Sequence, residues 1–188
     1  CSSNWKTIET LTIAACFTLT TAKGFTLQNC EFQDTTASLN FANIVKSTGA
    51  ANTVDGLYVA GNLYGSIGTT YNTFILTAND IDRLQVIGNN VLSINTTDLA
   101  VLVIVSAGVL TNGYMAQNAT KRKNTTATAA LVSVGGTTSS VLMVQNFAST
   151  LDASTNVNWG TTTGLVGWGN SLSGAIAGQG FPIPALDT

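Results

Sequence analysis

The feature that most limits what this chain can become is a phrase that keeps returning: a short alternation of apolar and polar residues, then a turn closed by asparagine. Its clearest copy is Ile81-Asp82-Arg83-Leu84-Gln85-Val86-Ile87-Gly88-Asn89-Asn90-Val91-Leu92. Leu84 and Val86 alternate with Arg83 and Gln85, the period of two expected of a strand with one face in a core. The phrase recurs at residues 25–29, 57–62, 114–118, 142–146 and 165–170. Anchored on Asn29, Asn62, Asn89, Asn118, Asn146 and Asn170, the copies begin 33, 27, 29, 28 and 24 residues apart.

A second class of apolar run precedes each phrase, at residues 15–20, 41–46, 73–77, 101–105 and 129–134, with a weaker member at 157–159. A third short element follows, at Phe32, Leu63-Tyr64, Val91-Leu92 and Phe147. Thr, Asn, Ser and Gly are abundant and rank low in helix propensity, so nothing supplies the helical crossovers of a βαβ fold. The economical solution is for each repeat to form one turn of a parallel β-solenoid, like strands stacking one repeat apart. About six turns would make a column roughly 25–30 Å long at the usual strand spacing. The expected division is an incomplete first coil over 1–14, the column over 15–171 and a non-repeat tail over 172–188. Pro182 and Pro184 cannot donate to a ladder, so the tail is expected to cap the open last coil or to dock on a neighbour.

In such a stack equivalent side chains lie above one another. The six asparagines can then bond as a structural amide ladder that also satisfies the turn backbone, rather than serving only as turn formers. The run at 101–105 carries a further implication. Val101, Val103 and Val105 alternate with Leu102 and Ile104, so both faces are apolar and only one can look into the core. The other needs cover, from a loop, from a part of the protein preceding Cys1 or from a partner subunit, and a homotrimer is the simplest expectation.

Charge and composition exclude several function classes. With seven Lys and Arg against nine Asp and Glu, a net charge of -2 does not suit a nucleic-acid surface. Lys121-Arg122-Lys123 is a lone basic cluster, expected to solvate a turn. No run reaches the roughly 18 apolar residues of a membrane helix. The chain opens on Cys1 without a signal-peptide layout, as a piece of a longer protein would. Cys16 and Cys30 fall in apolar strand patterns and read as small buried thiols.

There is no histidine, hence no imidazole relay and no His metal ligand. Carboxylates are the remaining route to catalysis. Asp55 and Asp82 begin equivalent strands and would stack one coil apart, with Asp80 two residues away. Such a trio has the chemistry of a glycosidase pair or a calcium site. Asp34, Asp98 and Asp152 recur in the loop after the third element. For all of them turn formation is the simpler role, so no catalytic residue, metal or cofactor is assigned. Trp5, Trp159, Trp168, Tyr58, Tyr64, Tyr71 and Tyr114 could stack on sugar rings if exposed. Trp159 and Trp168 lie in or beside strands, which favours burial at a core or at a subunit contact. Asn95, Asn118 and Asn124 head N-x-S/T sequons, expected by chance in so Asn- and Thr-rich a chain.

The strand–turn phrase ending in Asn resembles the single-stranded right-handed parallel β-helix of pectate lyases and bacteriophage tailspikes over residues 15–171. Segments 16–20, 52–57 and 181–185 are similar to virion-type β-helix proteins of tailed phages. The resemblance implies a non-enzymatic virion component exposed on the particle surface, as capsid decoration or part of a fibre, with other virion proteins as partners. It carries no catalytic residue across, since lyase chemistry wants a basic residue beside calcium and Arg83 alone is a thin match. The competing expectations are a tailspike-type domain that binds or depolymerises a glycan, and a bacterial surface adhesin.

Overall fold

Runs this short are not stable alone, and they find their partners one repeat away. The fold is seen in a computed structural model that describes residues 2–4, 11–13, 15–33, 39–41, 43–48, 54–66, 73–77, 80–93, 100–106, 108–122, 130–149, 157–158, 161–172 and 176–177. Among these residues there is no helix, and every strand pairing is parallel. The chain is an all-β parallel solenoid.

Sheet I stacks Ser2–Asn4, Glu31–Gln33, Leu63–Ser66, Asn90–Ser93, Ala119–Arg122, Phe147–Ser149 and Ser171–Leu172 in that order. Sheet III stacks Phe17–Leu19, Asn43–Ser47, Thr73–Thr77, Ala100–Val105, Ala130–Val134, Val157–Asn158 and Ile176–Ala177. Sheet II is a double strip. Ala22–Lys23, Val54–Asp55, Ile81–Asp82 and Leu110–Thr111 lead to the first half of Thr137–Val144. Thr26–Gln28, Tyr58–Ala60, Gln85–Ile87 and Tyr114–Ala116 lead to its second half, and Thr161–Trp168 runs beside the whole of it. A separate pair joins Leu11–Ile13 to Leu39–Phe41. Within the expected tail, Ile176–Ala177 pairs with Val157–Asn158. Residues 178–188, including both prolines, lie outside the described residues.

Each repeat is bent at two corners by a single residue in the left-handed region. The first corner has Gly24, Gly56, Arg83, Asn112, Ser140 and Gly164, with φ between 49° and 80°. The second has Asn29, Gly61, Gly88, Gln117, Gln145 and Gly169, with φ between 50° and 64°. Left-handed backbone costs an ordinary L-residue about 1–2 kcal/mol, so it is kept at six stacked positions only because the sheets on either side fix it. The two corners always enclose the same length of chain. The blocks 22–33, 54–65, 81–92, 110–121 and 138–149 are therefore superimposable in register.

Inside, like positions stack in columns. Leu57 and Leu84 are both fully buried neighbours, tied by Gln85 N–H donating to Leu57 C=O at 2.8 Å. One inward column of sheet II reads Leu27, Val59, Val86, Met115, Met143, gaining flexible bulk along the axis. Facing it in sheet I the column reads Phe32, Tyr64, Val91, Thr120, Ala148, losing bulk in the same direction. The opposed trends keep the core filled at constant strand spacing, as close packing requires. Aromatics gather at the Phe32 end. Phe32 and Phe74 meet edge to face with centroids 6.1 Å apart, and Phe17 and Phe25 lie within 5.8 Å.

Sheet III corrects one expectation. Leu102 does not face outward in need of cover: both Leu102 and Val103 are fully buried, as are Phe74 with Ile75 and Ile44 with Val45. The strand does not hold a strict alternation there. Its pairing shifts register between Ala100 and Val103, and Phe74 turns toward Phe32 and Tyr64. The argument for an oligomer from Leu102 therefore lapses.

Candidate functional site

Buried amides sit beside the second corner of the four blocks from 54–65 to 138–149. Asn62, Asn89, Asn118 and Asn146 are buried, and their side chains form one continuous chain of hydrogen bonds. Asn62 Nδ2 donates to Asn89 Oδ1 at 2.9 Å, Asn89 Nδ2 to Asn118 Oδ1 at 3.0 Å, and Asn118 Nδ2 to Asn146 Oδ1 at 2.9 Å. Asn146 Nδ2 donates to Asn170 Oδ1 at 2.9 Å. Each Oδ1 also accepts the backbone N–H of the preceding residue in the ladder, at 3.0–3.1 Å. Each Nδ2 reaches a backbone carbonyl of the preceding coil: Leu27, Val59, Val86, Met115 and Met143 in turn. For Asn89, Asn118 and Asn146 both amide hydrogens and both carbonyl lone pairs are thus used.

Asn29 is a correction. It occupies the left-handed position that Gly61 and Gly88 hold in their repeats, with φ 54°, and is exposed. Cys30 takes the ladder site, its backbone N–H donating to Asn62 Oδ1 at 3.0 Å. A thiol cannot replace the amide, so the side-chain ladder starts at Asn62. The counting signal was available: Leu27 precedes Cys30 by the same three residues that separate Val59 from Asn62 and Val86 from Asn89. Asn118 heads a sequon, but it is 1% exposed with its amide committed.

The carboxylates lie on the first corner. Asp55 and Asp82 are direct partners on adjacent parallel strands. Arg83, bent outward by its left-handed backbone, clamps Asp55 through Nε at 3.1 Å and through Nη2. Lys23 Nζ stands 3.9 Å from the same carboxylate. Asp82 Oδ1 accepts from Asn112 Nδ2 at 2.7 Å and Thr111 Oγ1 at 2.8 Å. Asp80 turns elsewhere, accepting Val109 N–H at 2.7 Å.

The Arg83 hydrogen bond, outweighing partial burial, holds Asp55 below the usual carboxylate range. The Asn112 and Thr111 hydrogen bonds do the same for Asp82, against the opposing charge of Asp55. Glycoside hydrolysis wants one carboxyl kept protonated beside one ionised. Here both are tuned toward the anion. Among the described residues no group of three or more metal-ligating side chains is assembled.

The outer face of sheet II's second strip carries two tyrosines and a tryptophan. One outward column runs Thr26, Tyr58, Gln85, Tyr114, Leu142, Val166. The adjacent one runs Gln28, Ala60, Ile87, Ala116, Val144, Trp168, and neither holds a charged residue. Tyr58 and Tyr114 are half-buried, whereas Trp168 is 48% exposed, so of the two expected places for it the core is excluded. It falls outward because Gly167, not Trp168, continues the inward column of Met143. Tyr64 is fully buried in sheet I.

Trp5, Trp159, Tyr71, Asp34, Asp98, Asp152, Asn95 and Asn124 lie outside the described residues. Lys121 and Arg122 belong to the strand Ala119–Arg122 rather than to a turn. Cys30 is buried and Cys16 half-buried, both as free thiols, and burial pushes the Cys16 thiol up to about 12. No protein-family model matches this chain, and no curated protein or solved structure matches it.

Proposed function

We propose that this chain is a non-enzymatic structural column, a right-handed β-helix of six coils closed by a tail over 172–188, carried on the surface of a tailed-phage particle as capsid decoration or part of a fibre. The observation that carries the structural half is the use made of its polar groups. The buried amides are spent on joining coil to coil, and the paired carboxylates of the flank are held ionised by Arg83, Asn112 and Thr111. Groups arranged in this way stiffen a rod; they are not poised to move protons. The phage assignment is supported by the resemblance of the repeat to virion β-helices, and a homotrimer with other virion proteins as neighbours goes with it.

Two measurements test this. Mass spectrometry of purified particles should find the chain among the virion proteins, and its absence from every particle fraction overturns the assignment. Light scattering at micromolar concentration should give a multiple of 19.4 kDa; a monomer mass rejects the trimer. Degradation of a host polysaccharide that Asp82→Asn abolishes, with the fold intact, would establish a depolymerase instead.

A further inference from the structure

The structural role leaves the outer face of sheet II unexplained. This strip presents rings, aliphatic side chains and amides on a parallel ladder. Its aromatics fall at a fixed interval. Tyr58 and Tyr114 occupy the same outward column, two strands apart, with Gln85 between them. Trp168 lies two strands beyond Tyr114, one column across, because Tyr114 pairs with Leu142 and Val144 pairs with Trp168. A ring therefore recurs every second strand, about 9–10 Å along the axis.

We propose that this face binds a neutral, extended glycan chain lying along the solenoid axis, with Tyr58, Tyr114 and Trp168 as the stacking rings. The interval is the length of about two sugar units in an extended β-linked chain, so every second sugar would meet a ring. A pyranose offers an apolar face of C–H groups to an aromatic surface and a rim of hydroxyls to amides. The rim is served by Gln85, between the two tyrosines, and by Gln117 and Gln145, exposed at the neighbouring corner. These amides both donate and accept, as uncharged hydroxyls require. The two columns carry no charge, and the nearest charges, Lys23, Asp55, Asp82 and Arg83, are largely engaged with one another at the first corner. A polyanionic chain has no cationic partner along this face. A second copy of the chain would bury the same apolar side chains, but it gives no reason for rings at alternate strands with an amide between.

The face adds a ligand to the structural proposal and does not depend on it: binding can be present or absent whether or not the chain belongs to a particle. Titration calorimetry with the full chain would use cellohexaose as probe, with maltohexaose as the coiled isomeric backbone and oligogalacturonate as the charged one. Cellohexaose should bind, with Trp168 fluorescence following the titration, and the other two should bind at least tenfold more weakly. Tyr114→Ala and Trp168→Ala should each weaken binding about 3- to 10-fold, the usual contribution of one stacked ring, while Tyr114→Phe stays within about twofold of the parent. Both side chains point away from the core, so circular dichroism should be unchanged and melting should stay cooperative, and these report folding independently. No heat with cellohexaose at millimolar concentration overturns the proposal. So do equal binding of maltohexaose, parent-like binding by the Tyr58→Ala, Tyr114→Ala, Trp168→Ala triple variant, or concentration-dependent self-association that the triple variant abolishes.

Discussion

Replacing Asn89 by alanine tests the amide ladder at its most connected point. In the parent, Asn89 Oδ1 accepts from Asn62 N–H and Asn62 Nδ2, and Asn89 Nδ2 donates to Val59 C=O and Asn118 Oδ1. After truncation Asn118 Oδ1 keeps the backbone N–H of residue 89, and Asn62 Nδ2 keeps Leu27 C=O. One backbone group is left without a partner, Asn62 N–H, because Val59 C=O keeps its place in the parallel pairing with Gln85–Ile87. At about 1–3 kcal/mol for a buried group left unpaired, the loss should be about 1–3 kcal/mol, the upper end softened by any water that enters the vacated space. Asn89→Asp sharpens the test. The carboxylate retains the Asn62 contacts but sets a charge against Val59 C=O and Asn118 Oδ1, so it should cost at least as much near neutral pH. It should recover partly in acid, where a protonated carboxyl can donate one bond. Urea unfolding followed by far-UV circular dichroism measures both, with an unchanged denaturant slope showing that stability alone has moved. Asn29→Ala is the matched control, an asparagine of the same phrase outside the ladder. A midpoint for Asn89→Ala within the range of an ordinary surface substitution, about 0.5 kcal/mol, would refute the ladder as a stabilising element.

The Asp55 and Asp82 carboxyls are depressed in the folded state, so they bind fewer protons folded than unfolded. Their stabilisation is present above about pH 4, the unfolded carboxylate value, and should fade as pH falls through the folded values. Arg83→Met should flatten that acid limb in pH-dependent melting. Arg83 also bears a left-handed φ of 54°, so Arg83→Gly should be about 1–2 kcal/mol more stable than Arg83→Ala, both having lost the ion pair. Gly135→Ala should be severe, since an added Cβ would lie 2.2 Å from the backbone oxygen of Ser106. Gly88→Ala, with nothing nearer than 4.0 Å, should cost only the roughly 1–2 kcal/mol of its φ, and comparative urea melts separate the two. Cys16, its thiol raised to about 12, should resist iodoacetamide in the native protein at pH 8 and react in urea, read by peptide mass spectrometry.

The repeat made the solenoid legible because its spacing is carried by residues that must alternate in and out, such as Leu84 with Gln85 and Val86. The partnership of Asp55 with Asp82 followed from the same phase. What escaped were features that depend on where single residues bend the chain. Asn29 shares its letter with the ladder residues, whereas its backbone conformation makes it the counterpart of Gly61. Arg83 in a strand-like run gives no sign of a left-handed corner that sets its guanidinium on Asp55. Strict alternation puts Leu102 outside, yet it is fully buried where the pairing beside it is irregular. For Trp168 hydrophobicity leaves core and subunit contact both open, and the position of Gly167 in the Met143 column excludes the core.

The constant length enclosed by the two left-handed corners divides the chain into parts with different freedom to vary. Between successive blocks the connecting stretches range from 20 residues (34–53) to 12 (150–161), while the blocks themselves never gain or lose a residue. An insertion within a block would shift every later side chain by one step and expose a column meant for the interior. An insertion between blocks, if it falls outside the sheet III strand that the stretch carries, leaves each column where it was. Genetic drift in length is thereby channelled to one side of the rod. That side can acquire new loops, epitopes or whole inserted modules while the opposite wall, with its amide ladder and its row of rings, keeps the same pitch. A protein engineer wishing to display a foreign peptide would begin in the same stretches.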